Sequence, residues 1–179
     1  TGDTPNATGI WAGSEVAFSG ANVNFTGCKT DLTVANSSTK LTAGKISLSG
    51  SQFGMNVGAD FTMSGGEILS TGCVRGIVAN GATATLAAGK VSVTASYPFW
   101  AANGGTLDFA GAEVLGNSTA NCAVYIDPNT EGNSYKITGG TVELQSSQAA
   151  ANTMYTSIPA DFGVWAGKDR DSAQRIPSP

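Results

Sequence analysis

The sequence predicts an all-β fold, a single-stranded parallel β-helix (β-solenoid) of about six to seven coils with 22–23 residues per coil. A repeat points there first. A large apolar residue, any residue, two small residues, any residue and then Val or Ile recurs from Phe18 (FSGANV), Leu41 (LTAGKI), Met63 (MSGGEI), Leu86 (LAAGKV), Phe109 (FAGAEV) and Ile137 (ITGGTV), at spacings of 23, 22, 23, 23 and 28. The second pointer is a local period of two. Val16 and Phe18, Phe61 and Met63, Val91 and Val93, and Leu107 and Phe109 alternate as strand residues do. The third is composition. Gly, Ala, Ser and Thr supply 87 of 179 residues, and Leu, Glu, Lys and Arg are scarce, which disfavours long helices and suits tight corners.

Taken in chain order, TGDTPNATG (1–9) is a Pro/Gly/Asn-rich lead-in. Each following unit supplies short strands that stack in register on the previous coil, about 4.8 Å away. Three inward ladders follow from this alignment. One is Phe18, Leu41, Met63, Leu86, Phe109 and Ile137; a second is Val23, Ile46, Ile68, Val91, Val114 and Val142; a third is Ile10, Leu32, Met55, Ile77, Trp100 and Val124. The small pair in each motif marks a bend, where bulky side chains would clash between coils and Gly reaches unusual φ values without a steric cost. An outward column reads Asn22, Lys45, Glu67, Lys90, Glu113 and Thr141, with charges alternating in sign from coil to coil. The last unit is longer, and DPNTEGN (127–133) reads as its inserted, exposed loop. Residues 145–157 are Ala-rich and polar, a loop or short helix; Phe162 to Gly167 reads as a capping strand with Trp165 as lid; 169–179 reads as a linker or tail toward a further domain. The β-helix with its lead-in and cap thus spans 1–168. With no initiator Met and no signal peptide, the segment is expected to derive from a longer or processed protein.

Composition excludes several chemistries. Histidine is absent, so no Ser-His-Asp or Cys-His system and no His-containing zinc site can form within the chain. Charged residues are 12% of the chain, about half the usual share, and the net charge is −4, which gives no electrostatic footprint for nucleic acid. No apolar run approaches the ~18 residues of a membrane span, so membrane insertion is not expected. Cys28, Cys73 and Cys122 are too few for a disulfide framework. Cys28 and Cys73 share an offset two coils apart, about 9.6 Å, beyond the ~7 Å reach of a disulfide, so free thiols acting as small fillers are expected.

FTMSGGEI, KITGGTVEL and GIVANGATATLAAGKVSV resemble the right-handed parallel β-helix repeats of the pectate-lyase-like superfamily. Within it they are most similar to non-catalytic repeat regions of large bacterial cell-surface proteins, especially of Gram-positive gut bacteria, and FGVWAGKDRDSAQ resembles the closing segment of such domains. The resemblance covers about residues 9–168. Similar motifs occur in autotransporter passengers and phage tailspikes. The right-handed winding is implied by the resemblance alone.

Lyases of that superfamily use carboxylates for Ca2+ plus an Arg or Lys base, and related hydrolases use clustered Asp residues. Here Arg75 is the one arginine within the coils, and Asp31, Asp60, Asp108 and Asp127 hold different register positions, so no catalytic residue, metal site or cofactor is expected. The binding candidates are Tyr97 and Phe99, in the least regular third of their coil, and Tyr125 with Asp127 in the loop-bearing coil. Exposed aromatics there would face the apolar side of a pyranose ring; ordinary corner packing is the plainer alternative. The expected function is a non-catalytic, extracellular module of a secreted or cell-surface protein, a rigid stalk or adhesin with a carbohydrate-binding face. Its expected partners are a polysaccharide or host glycan and other domains of a longer chain. A polysaccharide lyase or hydrolase, or a phage tailspike fragment, is the alternative.

The charge column gives a test of register. Lys90→Glu places a third carboxylate between Glu67 and Glu113. At low salt the melting temperature should fall by about 2–4 °C, the effect of ~1 kcal/mol in a domain of this size, and the loss should shrink at 1 M salt. Thermal melts of the two proteins at both salt concentrations check it.

Overall fold

The computed structural model describes residues 7–120, 122–146, 164–166 and 174–176. They contain strands and no helix, wound as a parallel β-solenoid of about five turns, fewer than the six to seven expected. Three strand columns make up the coil. The first holds β1 (Thr8–Ala12), β3 (Thr30–Val34), β5 (Phe53–Val57), the ends of β6 (Phe61–Asn80) and β7 (Thr83–Ala102), and β10 (Val124–Ile126). The second and third columns run consecutively within β2 (Val16–Thr26), β4 (Thr39–Ser49), β6 and β7, and are completed by β8 (Thr106–Phe109), β9 (Glu113–Ser118), β11 (Ser134–Ile137) and β12 (Thr141–Ser146). Beyond the coils, β13 (Val164–Ala166) pairs parallel with β10, and β14 (Gln174–Ile176) pairs antiparallel with β13. The rest of the segments read as loop, cap and tail lies outside the described residues.

Two inward ladders match the sequence reading throughout. Phe18, Leu41, Met63, Leu86, Phe109 and Ile137 are consecutive partners, as are Val23, Ile46, Ile68, Val91, Val114 and Val142. Their middle members are fully buried, whereas Ile137 is 36% exposed. The third ladder needs one correction. Ile77 pairs with Phe99, and Phe99 with Val124; Trp100 is not on it. Alternation along a strand puts neighbours on opposite faces, so a slip of one residue exchanges core for surface.

The corners lie within continuous strands in β2, β4, β6 and β7, and in the short connections from β8 to β9 and from β11 to β12. Gly44, Gly66, Gly89 and Gly140 have φ between 80° and 92°. A Cβ on Gly89 would sit 2.4 Å from the Gly66 carbonyl oxygen of the coil before it. Both requirements, positive φ and close approach, exclude a side chain. The outward charge column is in register too: Lys45 pairs with Glu67 at 2.8 Å and Lys90 with Glu113 at 3.1 Å.

Among the described residues six polar side chains are buried: Asp31, Thr39, Ser51, Ser70, Asp108 and Ser118. Asp31 is 0% exposed and lies at the register position of Gly9 in the coil before and Gly54 in the coil after. Its Oδ1 accepts from the Ser51 hydroxyl and its Oδ2 has no partner. Nearby, Ser70 interrupts the apolar row of Leu48 and Val93 with a buried hydroxyl that also lacks a partner. Burial pushes the Asp31 carboxyl above its ordinary range, against the pull of Ser51, the Ser49 backbone and Cys28. Cys73 faces the same cluster, its thiol raised by burial first and by the Asp31 charge as a lesser cause. Cys28 and Cys73 each follow a positive-φ glycine by one residue, with Ser51 at the equivalent place in the coil between them. The thiol of Cys122 is pushed up to about 12 by burial, so it packs as a neutral filler.

Two outcomes follow. Gly89→Ala should cost at least about 2 kcal/mol in urea unfolding, and Gly72→Ala, with φ of 68° but open space around its Cβ, only about 1 kcal/mol. Equal losses would show that strand conformation alone, without coil approach, selects glycine. An acid with a raised folded pKa binds its proton more tightly when folded. Its stabilising contribution is therefore complete below the unfolded value of 3.8 and disappears as pH rises through the folded value. Asp31→Asn should melt increasingly above the parent as pH is raised from 4 to 7, measured as paired thermal melts; a constant gap would contradict this.

Candidate functional site

The C-terminal stretch of β7 builds the site. Phe99 faces inward and is 0% exposed; its ring meets Phe109 edge-on at 5.1 Å. Gly116 makes space for it, since a Cβ there would stand 2.7 Å from the Phe99 ring. With Phe99 in the core, Trp100 must face out. It joins an outward row of Trp11, Thr33, Asn56, Val78, Trp100 and Tyr125. A second outward row, three residues earlier in each coil, reads Thr30, Phe53, Arg75 and Tyr97.

Side chains from the two rows interleave. The Arg75 guanidinium carbon lies 4.8 Å from the Phe53 ring centroid and 4.3 Å from that of Trp100, so both rings flank the cation. Trp100 in turn meets Tyr125 at 4.4 Å and Tyr97 at 4.8 Å, and the two tyrosines are 5.6 Å apart. Such contacts fix the rings at about 0.5–1.5 kcal/mol each beyond their burial. Beside them runs a short asparagine ladder. The Asn103 amide donates to Asn80 Oδ1 at 2.6 Å, and the Asn80 amide to Asn56 Oδ1 at 3.3 Å. Asn103, with φ of 54°, is held by its N–H on Thr130 Oγ1.

The inserted loop meets this face through Asp127. Asp127 Oδ1 accepts from the Asn129 N–H at 2.9 Å and its amide at 2.8 Å, and the Asn133 amide donates to the carbonyl oxygens of Asp127 and Thr130. The result is a lateral groove of about 290 Å³ lined by Phe53, Asn56, Arg75, Trp100, Asn103 and Asp127, among others. Its size is near the lower edge of small-molecule sites.

Of the sequence candidates, the groove takes Asp127 into its lining and has Tyr97, half-buried, packed against its Trp100. Tyr125 is 7% exposed and serves as backing for Trp100 rather than as an exposed loop residue. Phe99 belongs to the core and is no contact residue. Trp100, Arg75, Phe53 and the asparagines were missed as a group. The signal for them was the spacing: steps of 22 from Ile10 to Leu32, Met55 to Ile77 and Ile77 to Phe99 select Phe99 for the inward ladder and turn Trp100 outward.

Among the described residues the aspartates do not converge on one site. Asp60 caps the Thr83 N–H, Asp108 pairs with Lys136 at 3.0 Å, Asp31 is internal, and Asp127 holds its loop. No group of three metal-ligating side chains occurs among the described residues. No protein family, curated protein or solved structure matches this chain.

Proposed function

We propose that this chain is a non-catalytic, extracellular module of a secreted or cell-surface protein, a stiff stalk that binds carbohydrate in its lateral groove. The observation that carries the reading is the groove itself. Fixed aromatic rings, amides and a carboxylate converge on one outer face of the scaffold. Sugars present an apolar C–H face and a rim of hydroxyls. Trp100 offers apolar surface for the first; Asn56, Asn103 and Asp127 offer donors and acceptors for the second. The rows are held by backbone pairing on both sides, so little side-chain freedom is lost on binding. The resemblance to non-catalytic repeat regions of bacterial surface proteins supports the cellular setting.

A glycan array probed with the folded chain tests this. Trp100→Ala and Tyr97→Ala should each weaken binding of any hit by about tenfold or more, close to 1.4 kcal/mol, while far-ultraviolet circular dichroism stays unchanged. Binding that survives both substitutions, or no binding to any glycan, would overturn the groove and leave a bare stalk.

A further inference from the structure

The lateral groove contains a cation whose charge nothing described in the protein answers. Arg75 is half-buried, and the four ion pairs among the described residues all use lysines: Lys40, Lys45, Lys90 and Lys136. What holds Arg75 is the pair of rings, Phe53 and Trp100. With both rings against the guanidinium, its planar fork of N–H donors is the group left to recognise a ligand, and it matches a carboxylate in two-point geometry. Stacking also removes water from the faces of the ion, which strengthens any contact made at its edge. Arg75 is part of the lining of the groove.

The other charged side chain of the lining is Asp127. Its Oδ1 is engaged by Asn129 within the loop. A simple anion would gain from Arg75 and be repelled by Asp127. A ligand with one carboxylate and several hydroxyls satisfies both, since hydroxyls donate to Asp127 while the carboxylate accepts from Arg75. Amide groups of Asn56 and Asn103 complete a set suited to hydroxyls.

We propose that the groove selects carboxylated sugar units, uronates or sialates, over their neutral counterparts, with Arg75 as the residue that reads the carboxylate. This rests on the groove being the glycan site. It goes further by assigning the charge class and the residue that sets it. Phe53 and Trp100 act on selectivity by positioning the fork, and Trp100 also supplies contact area.

The test uses saturation-transfer NMR and calorimetry on the intact chain with glucuronate and N-acetylneuraminate as acids, and glucose and N-acetylglucosamine as neutral probes. At least one acid should bind about tenfold or more tightly than the neutral sugars, the worth of a charge-assisted pair, and the preference should weaken as salt is raised. Which acid is favoured identifies the source. Arg75→Gln should erase the preference, and Arg75→Lys, which keeps the charge without the fork, should keep a reduced one. Neutral sugars binding as well as acids to the parent protein, or an Arg75→Gln protein that keeps the preference, would overturn the proposal. If neutral sugars bind and Trp100→Ala abolishes that binding, the groove reading stands and the charge assignment alone falls. If none of the four probes binds, the assignment falls as well. The comparison of acids and neutrals on the parent protein decides the matter even if a variant fails to fold.

Discussion

Backbone hydrogen bonding between coils is the constraint on which everything else in this molecule depends. Within the stack, strand segments pair in parallel with the same segment of the neighbouring coil, on both sides for the inner coils, from β1 on β3 to β9 on β12. Parallel pairing in register places like positions directly over one another, about 4.8 Å apart. Apolar columns therefore become a continuous core, and like charges in one column would become neighbours. The alternating lysines and glutamates are a response to that second consequence. The glycine corners are a response to a third: when coils approach this closely at a bulge, a carbonyl of one coil occupies the place where the next would put its Cβ.

Such a scaffold tolerates irregularity where a neighbour makes room or supplies a partner. Phe99 fits because Gly116 has no side chain, whereas Asp31 is held inside by the Ser51 hydroxyl on its Oδ1. The two cases differ in energetic sense. Phe99 adds apolar contact to the core, whereas Asp31, Ser51 and Ser70 bring polar groups into it with two oxygens left without partners. Those groups share strands or corners with part of the groove lining: Asp31 follows Thr30, Ser51 precedes Phe53 by two residues, and Ser70 lies in the same strand as Arg75. Because a solenoid coil is stabilised by its nearest neighbours, the polar interior and the groove act on the same stretch of the stack.

Much of this was legible in the sequence. The repeat spacing gave two of three ladders without error, because each is a column of large apolar residues at a fixed distance from a glycine corner that pins the count. The third ladder begins after the corner at Gly27, Gly50 and Gly72, where coil length varies, and between Thr71 and Cys73 the pairing skips a residue. A count carried across that bulge slips by one and exchanges Phe99 with Trp100. The groove was hidden by the same slip, since its defining ring was assigned to the interior. Arg75 was visible as the one arginine of the coils, yet its flanking rings are 22 residues before it and 25 after, and only the winding brings them together. Asp31 could not have been placed, because ordinary strand alternation would leave the neighbour of Leu32 outside.

The asparagine ladder adds something that stacking alone does not. Each of its amides donates in the same sense, from Asn103 to Asn80 and from Asn80 to Asn56. A relay of this kind has a head and a tail: amide hydrogens remain at the Asn56 end and a carbonyl oxygen at the Asn103 end. Its small dipoles add along the solenoid axis, as aligned peptide units do in a helix. The groove beside it is consequently vectorial. A linear chain lying along it meets a donor first in one direction and an acceptor first in the other, so the two orientations are chemically inequivalent.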